Sequence, residues 1–224
     1  MRQSKARRKQ LLLESELREK LLLQESENEL QQERLRISRD LHDHLGAELT
    51  LIRSALSRRA FLSEKPEEKT ELNAIGDNAR RAMEELRETV WAIGGEANTV
   101  ENIALHLRDF ASRFETAKIE VQWNAETGKL KLNSTQTLHL YRIAREAMNN
   151  ALKYAPDSEV LVDFSATADG LLLKISDNGP GFGSPPQHQG YGLRNMKQRA
   201  EEIGGACNIK STAQGVTVSI ALPV

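Results

Sequence analysis

From Ser4 to Ser63 the chain has no proline and a single glycine, and its apolar residues recur at helical intervals. That pattern predicts one long helix. In its first half Leu23, Leu30 and Ile37 return every seven residues among many charges, the spacing of a two-stranded coiled coil. In its second half Leu41, Leu45, Leu49, Ile52 and Leu56 form a stripe that must pack on something. Ser63-Glu64-Lys65-Pro66 supplies a turn. A second helix is predicted over 68–93, with Leu72, Ile75, Ala79, Ala82, Leu86, Val90 and Ile93 on one face. Such a hairpin has too little core to stand by itself, so two copies are expected to pair as a homodimer through a four-helix bundle.

Gly94-Gly95-Glu96-Ala97-Asn98 interrupts the helical pattern and marks a domain boundary. Beyond it helices and strands alternate. Helices are predicted over 103–114, 134–154 and 193–203, the last ending at Gly204-Gly205. Strands are predicted over 118–123, 159–168, 171–176, 207–211 and 216–222, with a hairpin turn at Asp169-Gly170. Strands in one layer and helices in the other make an α+β sandwich. The expected fold class is therefore all-α for the first part and α+β for the second.

Composition narrows the function classes. The 224 residues are 39% hydrophobic and 28% charged, which suits a protein with a real core. Aromatic residues make up 4% and the formal net charge is -1, so neither stacking platforms nor a basic surface argues for nucleic acid. The single Cys207 has no partner thiol for a disulfide or a zinc site, as in a reducing compartment. No apolar run approaches the roughly 20 residues a membrane helix needs. The opening cluster Arg2, Lys5, Arg7, Arg8 and Lys9 suits either a solvated helix end or the cytoplasmic flank of a membrane segment. If the chain is a fragment, the missing part is expected before Met1, any membrane contact is expected through that part, and the expected location is cytoplasmic.

Three short motifs carry candidate chemistry. Glu146, Asn150 and Lys153 are spaced four and three apart, so they project from one strip of a helix. An Asn oxygen beside phosphate oxygens suits Mg2+, a hard cation that keeps several waters. Glu146 can order a metal-bound water and Lys153 can offset phosphate charge. Asp177 closes an apolar strand and is followed by Gly179 and Gly181. Its carboxylate can accept from the adenine amino group, while glycines admit close approach of a flat ring. Gly190 and Gly192 precede a helix whose first amides can face phosphate. Together these predict an ATP pocket. There is no Gly-x-x-x-x-Gly-Lys-[Ser/Thr] and no Gly-x-Gly-x-x-Gly, so a P-loop is excluded and a dinucleotide fold unsupported.

Far upstream, Leu41-His42-Asp43-His44-Leu45-Gly46 sets an imidazole beside a carboxylate on the leucine-striped helix. A neutral imidazole nitrogen can attack phosphorus, and Asp43 can take its proton or hold the other nitrogen as N–H. His42 and His44 face different directions on a helix and make a poor metal pair, so His44 is expected at a surface or interface.

The segment Arg145-Glu146-Ala147-Met148-Asn149-Asn150-Ala151-Leu152-Lys153-Tyr154-Ala155 resembles the N box of the GHKL ATPase superfamily. Asp177-Asn178-Gly179-Pro180-Gly181-Phe182 resembles its G1 box, and Gly190-Tyr191-Gly192-Leu193 its G2 box. The resemblance implies a Bergerat-type α/β sandwich that binds ATP and Mg2+, adding Tyr154 and Leu193 to the pocket. Arg36-Ile37-Ser38-Arg39-Asp40-Leu41-His42-Asp43-His44-Leu45-Gly46 is similar to the phosphoacceptor helix of the sensor histidine kinases that include nitrate and cell-envelope-stress sensors. Leu86-Arg87-Glu88-Thr89-Val90-Trp91-Ala92-Ile93 is similar to the end of their second dimerisation helix. The resemblance divides the chain into a coiled-coil signalling helix (1–35), a dimerisation and phosphotransfer domain (36–93), a hinge (94–99) and a catalytic ATP-binding domain (100–224). It implies autophosphorylation on His42 and relay to an aspartate of a response-regulator receiver domain.

Two departures stand out. Relatives often carry Gln or Asn four residues after the acid, where it positions water for dephosphorylating the regulator; this chain has Ala47. In Gly215-Val216-Thr217, valine replaces the threonine that commonly follows the glycine, which leaves a nucleotide contact absent or shifted. The residues also admit a non-catalytic nucleotide-binding scaffold, or a GHKL ATPase or serine-directed kinase that does not use His42.

Overall fold

A computed structural model describes residues 2–94, 98–114, 117–181 and 191–223; within the first helix several side chains, and those of His42 and Asp43, lie outside the description. The chain divides into two compact units, Met1–Gly95 and Glu96–Val224.

The first unit is helical. Helix α1 (Arg2–Asp40) passes through a π-helical turn, Leu41–Leu45, into α2 (Gly46–Leu62) without leaving helical backbone at either junction. The long proline-free stretch therefore forms one helix, with an irregularity that periodicity does not reveal. The His44 ring sits 3.1 Å from the Asp40 carbonyl. A carbonyl can only accept, so Nδ1 is the donor, and this contact lies across the π turn. Helix α3 (Pro66–Ile93) starts two residues before its predicted onset. Pro66 is its first residue because the missing N–H is an orphan donor there anyway, and Glu67 and Glu68 complement the helix dipole. Ser63 leaves the helix in an extended conformation and bonds Glu68 Oε2 at 3.0 Å, tightening the turn.

Helices α2 and α3 pack as a hairpin, with Ala60 and Met83 buried and Thr50 Oγ1 3.4 Å from Met83 Sδ. Much apolar surface stays uncovered: Leu51, Phe61 and Leu62 are 70%, 82% and 71% exposed. Leu30 and Ile37 of the predicted coiled-coil seam are exposed too. Two helices cannot enclose a core, so one face of each remains bare in the single chain.

The second unit is one five-stranded sheet with helices on one face. Its elements are α4 (Val100–Ala111), β1 (Lys118–Trp123), α5 (Ala125–Gly128), α6 (Ser134–Tyr154), β2 (Glu159–Thr167), β3 (Gly170–Asp177), α7 (Tyr191–Glu202), β4 (Ala206–Thr212) and β5 (Gly215–Pro223). Strand order is β1-β2-β3-β5-β4, with β1 parallel to β2 and every other pair antiparallel. Alternation along the strands sends Val121, Val162, Phe164, Leu173, Ile175, Val218 and Ile220 into the core against Leu140, Ile143, Met148 and Met196.

Two boundaries differ from expectation. Helix α4 begins three residues early because Thr99 caps it, its hydroxyl accepting from Asn102 N at 3.3 Å. Asn98 and Thr99, expected within the hinge, are tied into the second unit: the Asn98 carbonyl accepts from Leu132 N at 3.0 Å and Thr99 bridges Lys131. The short α5, capped by Asn124, has no counterpart in the sequence-based reading because four residues carry no periodicity. Helix α6 matches its predicted span; Asn133 and Gln136 form a reciprocal capping box.

Candidate functional site

A cleft, partly open to solvent, lies between the C-terminal half of α6, the end of β3, the start of β5 and the first turns of α7. Its walls are largely apolar: Ala147 and Ala151 from α6, Ile175 from β3, Met196 from α7 and Val218 from β5. Among the described residues, the polar side chains lining it are Asn150, Tyr154 and Asp177.

Asp177 is the last residue of β3 and is held from two sides. Its Oδ1 accepts from the Gly179 amide at 2.9 Å and from the Val216 amide at 3.3 Å. The turn after it is clamped to β2, since the Asn178 amide donates to the Glu159 carbonyl at 3.3 Å while Asn178 Oδ1 accepts from Glu159 N at 2.7 Å. Two glycines let the neighbouring hairpin close on this turn. Gly215, at φ +129°, lies so near the Asp177 carbonyl that a β-carbon would collide with it; Gly181, at φ +71°, stands in the same relation to the Thr212 carbonyl.

Of the predicted residues, Asn150, Tyr154, Asp177, Gly181 and Leu193 line the cleft. Gly179 serves through its amide and through close packing on Ala155. Glu146 stands beside the cleft with its carboxylate against Gly192 at the start of α7, and Asn150 Nδ2 lies on the same side. The Lys153 ammonium sits 4.8 Å from the centre of the Tyr154 ring, which is exposed. Gly190 lies outside the described residues. His42 and Asp43 fall on the π-helical turn of the other unit. Sequence reasoning missed the apolar walls; the signal for part of them was the alternation Val216, Val218, Ile220 on β5. It also gave His44 no bonding role, because a backbone carbonyl across a π turn cannot be read from spacing.

The fold and cleft define a class: residues 135–224 match the profile of the histidine kinase-, DNA gyrase B- and HSP90-like ATPases. Residues 33–97, with the π turn and the α2–α3 hairpin, match a second profile described as histidine kinase. With both halves matched, the chain belongs to the sensor histidine kinases.

The nitrate/nitrite sensor protein NarQ of Escherichia coli (strain K12) is 30% identical over 195 residues, covering 84% of this chain and 34% of that protein. The oxygen sensor histidine kinase NreB of Staphylococcus carnosus (strain TM300) is 27% identical, covering 96% of this chain and 63% of that protein. The chain thus spans about a third to under two-thirds of these relatives. Among solved structures, the histidine kinase domain of the Erythrobacter litoralis EL346 blue-light activated histidine kinase aligns with a TM-score of 0.51 at 18% identity, covering 78% of this chain and 95% of that one. The Acinetobacter baumannii histidine kinase AdeS aligns with a TM-score of 0.52 at 14% identity, covering 81% and 97%. These two likenesses concern fold. Among the described residues no helix is long and apolar enough to cross a membrane.

Proposed function

We propose that this chain is the cytoplasmic kinase core of a sensor histidine kinase, which transfers the γ-phosphoryl group of ATP to His42 and from there to an aspartate of a response-regulator receiver domain. The observation that carries this reading is a held carboxylate, Asp177, in an apolar cleft of the same chain that places His42-Asp43 on a helix matching the histidine kinase profile.

In this reading Asp177 accepts from the base amino group, and the hydrocarbon walls hold the ring. Asn150, with Glu146 four residues before it on the same helix, offers the oxygen donors that a hard cation prefers. Mg2+, when bound, neutralises phosphate charge. Glu146 orients water on that side of the cleft, Lys153 and the first amides of α7 face phosphate, and Gly192 gives them room. Tyr154 and Leu193 close the walls. A neutral His42 nitrogen bonds to the γ-phosphorus while the bond to the β–γ bridging oxygen breaks and ADP leaves. Asp43 takes the proton or holds the other nitrogen as N–H. Gly94 and Gly95, between the two units, serve as the pivot. Bare Leu51, Phe61 and Leu62 support pairing of two copies through the hairpin as a four-helix bundle, with α1 continuing as a coiled coil.

The test is incubation with γ-labelled ATP and Mg2+ of wild type, His42→Ala, Asn150→Ala and Asp177→Ala. Wild type should carry label that acid removes and alkali spares, and each variant should lose it. Label that survives in His42→Ala would refute the assignment of the acceptor.

A further inference from the structure

The π turn Leu41–Leu45 is bracketed by two side-chain donors that reach main-chain carbonyls just outside it. Before it, His44 Nδ1 stands 3.1 Å from the carbonyl of Asp40, the last residue of α1. After it, Thr50 Oγ1 donates to the carbonyl of Gly46, the first residue of α2, at 2.7 Å. Both bonds run from residue i to carbonyl i−4, the acceptor that a regular α-helix gives to the amide of residue i. A π turn lengthens that pairing to five residues, and a side-chain donor fills the place that the lengthened pairing vacates. The far end is anchored, because Thr50 Oγ1 also lies 3.4 Å from Met83 Sδ on α3. At the near end Arg36 Nη1 engages the Asp40 carboxylate at 3.3 Å and leaves the carbonyl to His44. His42 and Asp43 belong to the turn between these two bonds. An α-helix advances about 100° per residue, and a π turn takes in one residue more before it closes. The form of the turn therefore sets which way residues 42 and 43 head relative to α2.

We propose that His44 is a positioning residue for phosphorylation of His42: by donating from Nδ1 to the Asp40 carbonyl it holds the turn in its π form and presents residues 42 and 43 in one fixed heading. This rests on the reading of His42 as the acceptor. In this role His44 takes no phosphoryl group and moves no proton; it acts through the backbone of the turn. The requirement is a donor at the Nδ1 position. Asn supplies one with its amide nitrogen, whereas Leu, of nearly the same shape, does not. Helix propensity ranks the two the other way, since Leu favours a helix and Asn disfavours one. A role in general helix stability and a role as donor to carbonyl 40 therefore predict opposite orders of activity.

The experiment is single-turnover labelling of the whole chain with saturating γ-labelled ATP and Mg2+ for wild type, His42→Ala, His44→Leu and His44→Asn, with ADP affinity measured by calorimetry on each. His44→Leu should label about three- to tenfold more slowly than wild type, the effect of one lost hydrogen bond. His44→Asn should stay within about twofold of wild type, and ADP affinity should be unchanged in both. Equal rates for wild type and His44→Leu, or a His44→Asn slower than His44→Leu, would overturn the proposal and leave His42 as the acceptor, so long as His42→Ala is unlabelled. Label persisting in His42→Ala would strike the acceptor reading itself, and the proposal with it. Imidazole nitrogen NMR of wild type with labelled histidines needs no active variant, and the resonance missing from His44→Asn identifies residue 44. At a pH where imidazole is neutral, that ring should carry its proton on Nδ1; a proton on Nε2 alone would overturn the proposal.

Discussion

Gly192, at the start of α7, lies directly against the carboxylate of Glu146 on α6: a β-carbon there would collide with Oε1 and stand 3.2 Å from Cδ and 3.7 Å from Asn150 Nδ2. The obstacle is the end of a flexible side chain, so Gly192→Ala should displace Glu146 and leave the fold intact. The expected result is a melting temperature within about 3 °C of wild type, with nucleotide affinity down about tenfold. Calorimetry and a thermal melt on one sample check both; unchanged affinity would remove Glu146 and Gly192 from the site.

Gly215 presents the opposite case. Its φ of +129° disfavours any other residue, and the atom in the way is the Asp177 backbone carbonyl, which cannot swing aside. Gly215→Ala should destabilise the second domain by about 2–3 kcal/mol, lowering its melting temperature by roughly 10 °C. Denaturant unfolding followed at Trp123 of β1, with Trp91 of α3 replaced by Phe, gives the measurement.

Arg108 of α4 ties that helix to the edge strand. Its Nε and Nη2 both donate to the Val121 carbonyl, at 3.1 and 2.7 Å, and its guanidinium lies 4.3 Å from the centre of the Trp123 ring. A lysine cannot reproduce the fork. Arg108→Lys should cost about 1–2 kcal/mol of domain stability and Arg108→Ala about 2–3. Nucleotide affinity should not change, because β1 lies two strands away from β3. A parallel loss of affinity would contradict a purely structural role.

Two histidines should make the second domain acid-sensitive. Burial holds His139 below its ordinary range, against the pull of Glu202, whose Oε2 is 3.5 Å from Nε2; Arg199 and Arg142 push it the same way as burial. Burial likewise lowers His106, whose ring lies tilted against that of Tyr141 with centroids 4.9 Å apart, with Asp109 opposing and Arg113 assisting. Both stay neutral in the folded domain at pH values where the unfolded chain, titrating near 6.5, is already protonated. The unfolded state then binds more protons, so this stability is present above about pH 6.5 and is lost as pH falls through the folded values. Stability measured from pH 8 to 5.5 should fall less steeply in His106→Gln/His139→Gln than in wild type; equal slopes would sink the idea.

Much of the second domain is legible in the sequence. Helix α6 and strand β1 have their predicted spans; 118–123 alternate cleanly, and the Asn133–Gln136 capping box fixes the start of α6 where it is expected. The motif residues Asn150, Asp177 and Leu193 meet at one cleft although 43 positions separate the first from the last. Other features had no local signature. The π turn needs backbone hydrogen bonding to be seen, α5 is too short for periodicity, and Thr99, next to the glycine-rich boundary, reveals itself as the cap of α4 only through its hydroxyl's bond to Asn102 N.

What the sequence determined by itself is the alternation of apolar and polar positions, and with it the helices, the strands and the family motifs, since these depend on residues a few positions apart. What only the tertiary structure decided is which groups share a space. Asp177 is gripped by the amide of Val216, 39 residues later, and Glu146 meets Gly192. The pairing of β3 with β5 and the packing of α6 on α7 create those contacts, and the energy that selects them comes from burying residues distant along the chain.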